Sequence, residues 1–103
     1  MNILIVEARY YPAIIDALVD GATAALEKGG ARFERVAVHG VLEVPSAIAI
    51  AANSQRRADG YLALGCVLGE DIVADTLYRE TMRGLMTLGA GGLAIGNGIV
   101  LAR

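Results

Sequence analysis

With 103 residues, of which 55% are hydrophobic and 19% charged, the chain has the length of one small domain and an unusually apolar composition. A net charge of −2, scattered basic residues and an aromatic content of four Tyr and one Phe give little support to nucleic-acid binding. The single cysteine excludes an internal disulfide and a cysteine-based metal cluster.

The apolar excess predicts self-association. Mean hydropathy is +0.52, and a domain of this size buries only a modest fraction of its surface. Apolar residues left on the surface usually mark an interface. No run of about 20 apolar residues is free of charge, as a membrane span would require, and the first residues, MNILIVEARYYP, lack the basic start of a signal peptide. We therefore expect a cytoplasmic homo-oligomer.

The first part of the chain alternates between strand and helix patterns. NILIVEA (2–8) is apolar nearly throughout, as in a strand buried on both faces. Pro12 suits the first turn of a helix, and apolar residues then repeat at helical spacing until a glycine pair (29–30) stops the pattern. ARFERVAVHG (31–40) predicts a second strand that ends at its glycine.

The alternation continues to the end of the chain. EVPSAIAIAANSQRR (43–57) predicts a helix that begins near Pro45 and ends in its arginines. ADGYLALGCVL (58–68) predicts a third strand, and EDIVADTLYRETMRGLMTLG (70–89) a third helix whose N-terminal acids suit the helix dipole. GLAIGNGIV (92–100) predicts a fourth strand.

Strict alternation of strands and helices predicts an α/β fold, a three-layer arrangement with a four-stranded parallel sheet, helices on both faces and flavodoxin-like topology. Ligands of such sheets bind outside the carboxyl ends of the strands. We expect those ends at residues 7–11, 38–43, 66–71 and 96–100.

Five side chains near these ends are open to a functional or a structural interpretation. Tyr10 and Tyr11 suit stacking on a flat ligand ring and packing at a helix start equally well. His39, the only histidine, is the residue type for acid/base chemistry, but its position favours a loop histidine. Glu43 suits a helix start or ligand hydroxyls, and the pattern favours the first. Cys66 lies in an apolar strand, which indicates a buried, inert thiol.

Gly69, Glu70 and Asp71 open the third predicted helix. Backbone amides at a helix start can bind phosphate, but two carboxylates there repel an anion, so the residues themselves favour a plain helix start. The chain contains neither a Gly-x-Gly-x-x-Gly nor a Walker A motif.

Four segments, taken in order, resemble the lumazine synthase family. ILIVEARYYPAIIDALVDGATAAL resembles the family's opening, and VHGVLEVPSAIAIA resembles its second strand end and helix. DGYLALGCVL resembles its third strand, and GLAIGNGIV its Leu-Gly-Asn-Gly-Ile segment. Each motif is weak alone, but together they cover nearly the whole chain with their order and spacing kept.

The resemblance implies condensation of 5-amino-6-ribitylaminouracil with 3,4-dihydroxy-2-butanone 4-phosphate to 6,7-dimethyl-8-ribityllumazine in riboflavin biosynthesis, without metal or cofactor. It proceeds by Schiff-base formation, phosphate loss, ring closure and dehydration, with substrate proximity contributing much of the catalysis. The family forms pentamers, some assembled into larger shells. The implied substrate contacts are Tyr10 on the pyrimidine ring, Val41, Leu42 and Glu43 on the ribityl chain, and Cys66, Val67, Leu68 and Asn97 around the ring. Implied phosphate contacts are Gly69, Glu70 and Arg103.

The chain departs from the family pattern at two places, so we expect one lumazine-synthase-like domain (1–103) shortened near residues 69–71 and at its C-terminus. The family's Arg-Gly-x-Thr turn and His-Phe pair follow strand three, whereas this chain reads VLGEDIVAD, and no catalytic histidine is found after Glu70. Either the chain is a variant of the scaffold, or residues at both places are absent from the sequence. The alternative function is a scaffold that binds ligand and assembles without turnover, and a flavodoxin-like regulatory module ranks last.

Overall fold

A computed structural model describes residues 1–55 and 57–102 of the chain. Over these residues strands and helices alternate as the apolar runs predict. The elements are β1 (Asn2–Ala8), α1 (Pro12–Lys28), β2 (Arg32–Val38), α2 (Glu43–Ala52), β3 (Gly60–Leu68), α3 (Ile72–Ala90) and β4 (Ile95–Ala102).

The four strands form one parallel sheet in the order β2-β1-β3-β4. The central strand β1 pairs on both sides, since Ile5 lies opposite Arg35 of β2 and Leu62 of β3. The order reverses between β1 and β3, as in flavodoxin-like sheets. The predicted fold class, a four-stranded parallel α/β sheet with helices on both faces, is confirmed.

Each face of the sheet packs its own helices. Helix α1 lies on one face, where Ile15 and Val19 pack with Ile5 and Leu64. Helices α2 and α3 cover the other face with a larger core, whose fully or nearly buried members include Val6, Val41, Val44, Ile48, Ala63, Val67, Leu85 and Ile99. Successive residues of a strand point to opposite faces, which is why the apolar run of β1 supplies both cores.

Helix α2 differs from the prediction at both ends. It begins at Glu43 because the chain already turns at Gly40, where the Glu43 N–H donates to the Gly40 carbonyl (3.2 Å). Pro45 then stands in the first turn, where a missing N–H costs no hydrogen bond. The helix ends at Ala52, and the Asn53 side chain donates to the Ala49 carbonyl (2.8 Å). The prediction that it ends in arginines is wrong; Arg56 itself lies outside the described residues.

Strand β4 lies further along the chain than predicted. The segment before it closes α3, because the N–H groups of Gly91 and Leu93 donate to Thr87 and Leu88. Pairing with β3 continues as far as Leu68 opposite Ala102. The predicted carboxyl end at residues 96–100 is therefore wrong, since those residues lie within the strand.

Among the described residues, none of the three helices combines the length and the hydrophobicity that a bilayer-spanning helix needs.

Candidate functional site

A cavity of about 280 Å³ lies at the carboxyl ends of β1, β2 and β3. This is the position where the strand order reverses, and parallel sheets of this kind bind their ligands there. Its lining consists of Tyr10, Tyr11, His39, Gly40, Val41, Leu42, Glu43, Cys66, Val67, Leu68 and Leu77.

A larger cleft of about 590 Å³ lies at the opposite end of the sheet, at the amino ends of β1 and β2. Its lining residues include Arg32, Glu34 and Arg57. The smaller cavity is the candidate ligand site, because ligands of parallel sheets bind at carboxyl ends and because most of the substrate contacts implied by the family resemblance lie in its lining.

The structure brings together all the predicted substrate contacts except Asn97. It adds four residues to the lining: Tyr11, His39, Gly40 and Leu77. For Tyr11 the sequence left open stacking on a ligand ring or packing at a helix start. For His39 the sequence pattern favoured a loop histidine. Leu77 repeats at helical spacing on α3 and gave no signal beyond core packing. The binding roles of these residues stay predictions.

One wall of the cavity is aromatic. The Tyr10 ring makes edge contacts with Tyr11, at a centroid distance of 4.9 Å, and with His39, at 5.4 Å. Such T-shaped pairs are the favourable geometry for aromatic rings. Tyr10 is 59% exposed, so much of its surface is accessible to a ligand.

The strand ends that carry this wall are tied together. The Arg9 N–H donates to the Val38 carbonyl (2.9 Å), which joins the chain just before Tyr10 to the chain just before His39. Below this link, Glu7 is 2% exposed. Its carboxylate accepts one hydrogen bond from Arg9 (2.8 Å) and two from Arg35 (2.8 and 2.9 Å).

The charge of Glu7 is stabilised by these partners. The hydrogen bonds from Arg35 contribute most and, with those from Arg9, lower the pKa of Glu7 although burial acts in the opposite direction. Arg9 also donates to Asp16 in the first turns of α1 (2.5 Å). The network thus connects β1, β2 and α1 close in sequence to the aromatic residues, since Arg9 directly precedes Tyr10.

The floor of the cavity requires a glycine. A Cβ at Gly65 would lie 2.8 Å from Cγ1 of Val41 and 3.2 Å from the side chains of Ala8 and Ile99. Only a residue without a side chain lets Val41 pack this closely against β3. Val41 therefore belongs both to the core and to the lining of the cavity.

Two polar groups of the lining differ in their chemistry. The Glu43 carboxylate folds over the turn before α2, where a Cβ on Gly40 would lie 3.7 Å from both of its oxygens. It is exposed and can accept hydrogen bonds from a ligand. Cys66 is 8% exposed, and burial raises the pKa of its thiol. A protonated thiol is a poor nucleophile, so Cys66 contributes apolar surface.

The corner after β3 lies outside the lining. Gly69 has a φ of +140°, a conformation that favours glycine, and Glu70 is exposed. Asp71 caps α3, with its carboxylate accepting from the Ala74 N–H (2.9 Å). The predicted phosphate contacts Gly69 and Glu70 adjoin the cavity at Leu68, and Arg103 lies outside the described residues.

Asn97 lies away from the other predicted contacts of the same chain. It lies on the edge strand β4, paired with Ala63, and the pairing of the two strands continues for five more residues to Ala102. Its side chain accepts from the Ile99 N–H (2.9 Å) and donates to the sulfur of Met82 (2.9 Å). The physical reason is that β4 lies further along the chain than predicted, so its carboxyl end is at Ala102 rather than near Asn97.

Within the described part of the chain, His, Cys, Asp and Glu side chains form no group of three or more that could hold a metal ion.

Comparison with known proteins agrees with this geometry. The family model for 6,7-dimethyl-8-ribityllumazine synthase matches residues 1–103. Proteins of that name from Sphingopyxis alaskensis and Bartonella tribocorum are 50% and 46% identical to this chain, over 96% of its length in each case. One from Novosphingobium aromaticivorans is 48% identical over 94% of it. The chain spans 70%, 67% and 70% of these three relatives. It belongs to the 6,7-dimethyl-8-ribityllumazine synthase family.

Proposed function

We propose that the chain acts as a transferase of riboflavin biosynthesis, condensing 5-amino-6-ribitylaminouracil with 3,4-dihydroxy-2-butanone 4-phosphate to 6,7-dimethyl-8-ribityllumazine. The observation that carries the proposal is the cavity, which unites Tyr10, Glu43 and the end of β3 in a chain that the family model matches throughout.

The lining suits a flat ring with a polyhydroxyl chain. The pyrimidine ring stacks on Tyr10 and rests against Cys66 and Val67. The ribityl chain lies along Val41 and Leu42, and the Glu43 carboxylate accepts hydrogen bonds from its hydroxyls. A volume of about 280 Å³ is close to the lower end of small-molecule sites. Holding both substrates in such a space replaces an encounter in solution by a reaction between fixed neighbours.

The remaining contacts belong to the same proposal. Gly69, Glu70 and Arg103 contact the phosphate, with Arg103 supplying the positive charge, and Asn97 contributes to the ring site. The domain is a single unit over 1–103 with a short connection near 69–71. The resemblance of GLAIGNGIV to the family segment supports Asn97. Gly69, Glu70 and Arg103 lie where the chain departs from the family pattern, and their support is their position directly after the third and fourth strand segments.

Self-association to a pentamer or larger assembly, in the cytoplasm, completes the proposal. Its support is the apolar surface of the single chain, on which Ile72 is 80% exposed, Ile50 73% and Met86 69%. Large apolar side chains left exposed on a small domain often mark an interface. Light scattering should give a mass several times 10.7 kDa, and a monomer would contradict this part.

The reaction is tested by mixing the protein with both substrates and following the absorbance of the lumazine, against a blank without protein. Product must form faster than in the blank. Tyr10→Phe keeps the ring and should keep most of the activity, whereas Tyr10→Ala should weaken substrate binding about tenfold, since stacking on an aromatic ring contributes about 1–3 kcal/mol. Binding of the product without turnover would contradict the proposed reaction.

A further inference from the structure

We propose that His39 is the proton-transfer residue of this cavity. The inference rests on the proposed condensation and names the residue that moves protons in it. His39 is the only histidine in the chain and follows directly after β2. Its ring lines the cavity beside Tyr10, at a centroid distance of 5.4 Å.

The imidazole makes an edge contact with the Tyr10 ring, but its two nitrogens are not used by the fold. It makes no hydrogen bond to any other residue among 1–55 and 57–102, and it is exposed to solvent. Both ring nitrogens are therefore accessible to a bound ligand. A histidine that only stabilised the loop would be expected to bond a neighbouring carbonyl or carboxylate through one nitrogen.

The other titratable side chains that line the cavity are Tyr10, Tyr11, Glu43 and Cys66. As side-chain types, phenols and thiols are protonated near neutral pH, and carboxylic acids are ionised. Imidazole is the type that both accepts and returns a proton in this range. Efficient proton transfer needs such a group within reach of the reacting atoms.

The backbone fixes where the imidazole stands. The hydrogen bond from the Arg9 N–H to the Val38 carbonyl holds the end of β2 against the end of β1. The buried Glu7 carboxylate also joins these strands, because it accepts hydrogen bonds from Arg9 and Arg35. A ring stacked on Tyr10 therefore lies beside His39, because the two side chains are held on neighbouring strand ends.

The step assigned to His39 follows imine formation between the 5-amino nitrogen and the ketone carbon, which releases water. His39 removes the proton from the hydroxyl-bearing carbon next to the imine. The electron pair of that C–H bond forms a C=C bond, the C–O bond to phosphate breaks, and its electron pair leaves with the phosphate. The resulting enol becomes a ketone when His39 returns the proton to the terminal carbon and the hydroxyl proton goes to the phosphate, so atoms and electrons balance.

The test compares the native protein with His39→Ala and Tyr10→Ala. For His39→Ala we expect kcat to fall about 100-fold, the size of a general acid–base contribution, with KM and product affinity within about threefold of native because the stacking ring is retained. Added imidazole should restore part of the kcat of His39→Ala. It should not restore Tyr10→Ala, which lacks a binding surface rather than a proton carrier.

The pH profile adds an independent measurement. The native pH profile of kcat should differ in shape from that of His39→Ala, because only the native protein carries an imidazole in the cavity. A native-like kcat in His39→Ala, or a lowered kcat that imidazole leaves unchanged, would overturn the assignment while leaving the condensation in place. Absence of product from the native protein would overturn the condensation and the assignment together.

Discussion

Replacing Gly65 by alanine tests whether the floor of the cavity depends on close packing. Gly65 has no positive φ, so its backbone accepts alanine, and the cost is steric. The new methyl group would lie 2.8 Å from Val41 and 3.2 Å from Ala8 and Ile99, whereas carbon atoms prefer about 3.5–4.0 Å. Val41, which also lines the cavity, must therefore shift by several tenths of an ångström.

Overpacking of this kind costs about 1–3 kcal/mol. For a domain of about 100 residues, a loss of 2 kcal/mol lowers Tm by about 8–16 °C. Val41→Ala alone should also destabilise the protein, by about 1–2 kcal/mol, because it removes buried apolar surface. In the double variant the alanine at position 41 makes room for the new methyl group. The stability loss of the double variant should therefore be about 1–2 kcal/mol smaller than the sum of the two single-variant losses.

The assay is thermal unfolding followed by circular dichroism at one fixed protein concentration, because assembly makes Tm depend on concentration. Gly21→Ala is the matched control, since nothing lies within 4 Å of its new methyl group and alanine favours helix α1 by about 0.5–1 kcal/mol. Native stability in Gly65→Ala, or full additivity with Val41→Ala, would refute the steric argument.

Two further substitutions test the buried network and the helix cap. Glu7→Gln should lower the free energy of unfolding at pH 7 by about 2 kcal/mol, since it weakens charge-assisted hydrogen bonds with Arg9 and Arg35. Folding lowers the pKa of Glu7 from its ordinary value of 4.5. The stability difference between the native protein and the variant is therefore present above pH 4.5 and declines as the pH falls below it. Urea unfolding at pH 7 and pH 3 measures this, and an equal difference at both would speak against it. Asp71→Ala removes the acceptor of the Ala74 N–H and should cost about 1 kcal/mol in urea unfolding, while Asp71→Asn should stay close to native; equal losses would argue against a capping role.

Most of the fold could be predicted from the sequence, because the local residue patterns favour the same strands and helices that the packed domain contains. The apolar run of β1 and the Pro12 start of α1 have the predicted bounds. The predicted limits of β4 were wrong because contacts with other elements set them. Gly91 and its neighbours close α3, and pairing with β3 continues the strand to Ala102. Neither effect leaves a periodic signal.

The site was predictable where a motif carried it. Tyr10, Glu43 and the end of β3 lie together because parallel strands end at one edge of the sheet. Leu77 escaped prediction, and for His39 the interpretation as a loop residue was favoured over acid/base chemistry. Their positions at the cavity depend on how the β2 loop and α3 fold over that edge. Asn97 shows the converse, because a matching motif does not place a side chain in the cavity of its own chain.

Val41 and Val67 line the cavity and also belong to the hydrophobic core. A ligand that fills the cavity therefore packs directly against the interior of the domain, without a separate layer of binding residues between them. Reshaping this site for a bulkier ring would mean removing core side chains, so the choice of substrate and the heat resistance of this protein depend on the same few methyl groups.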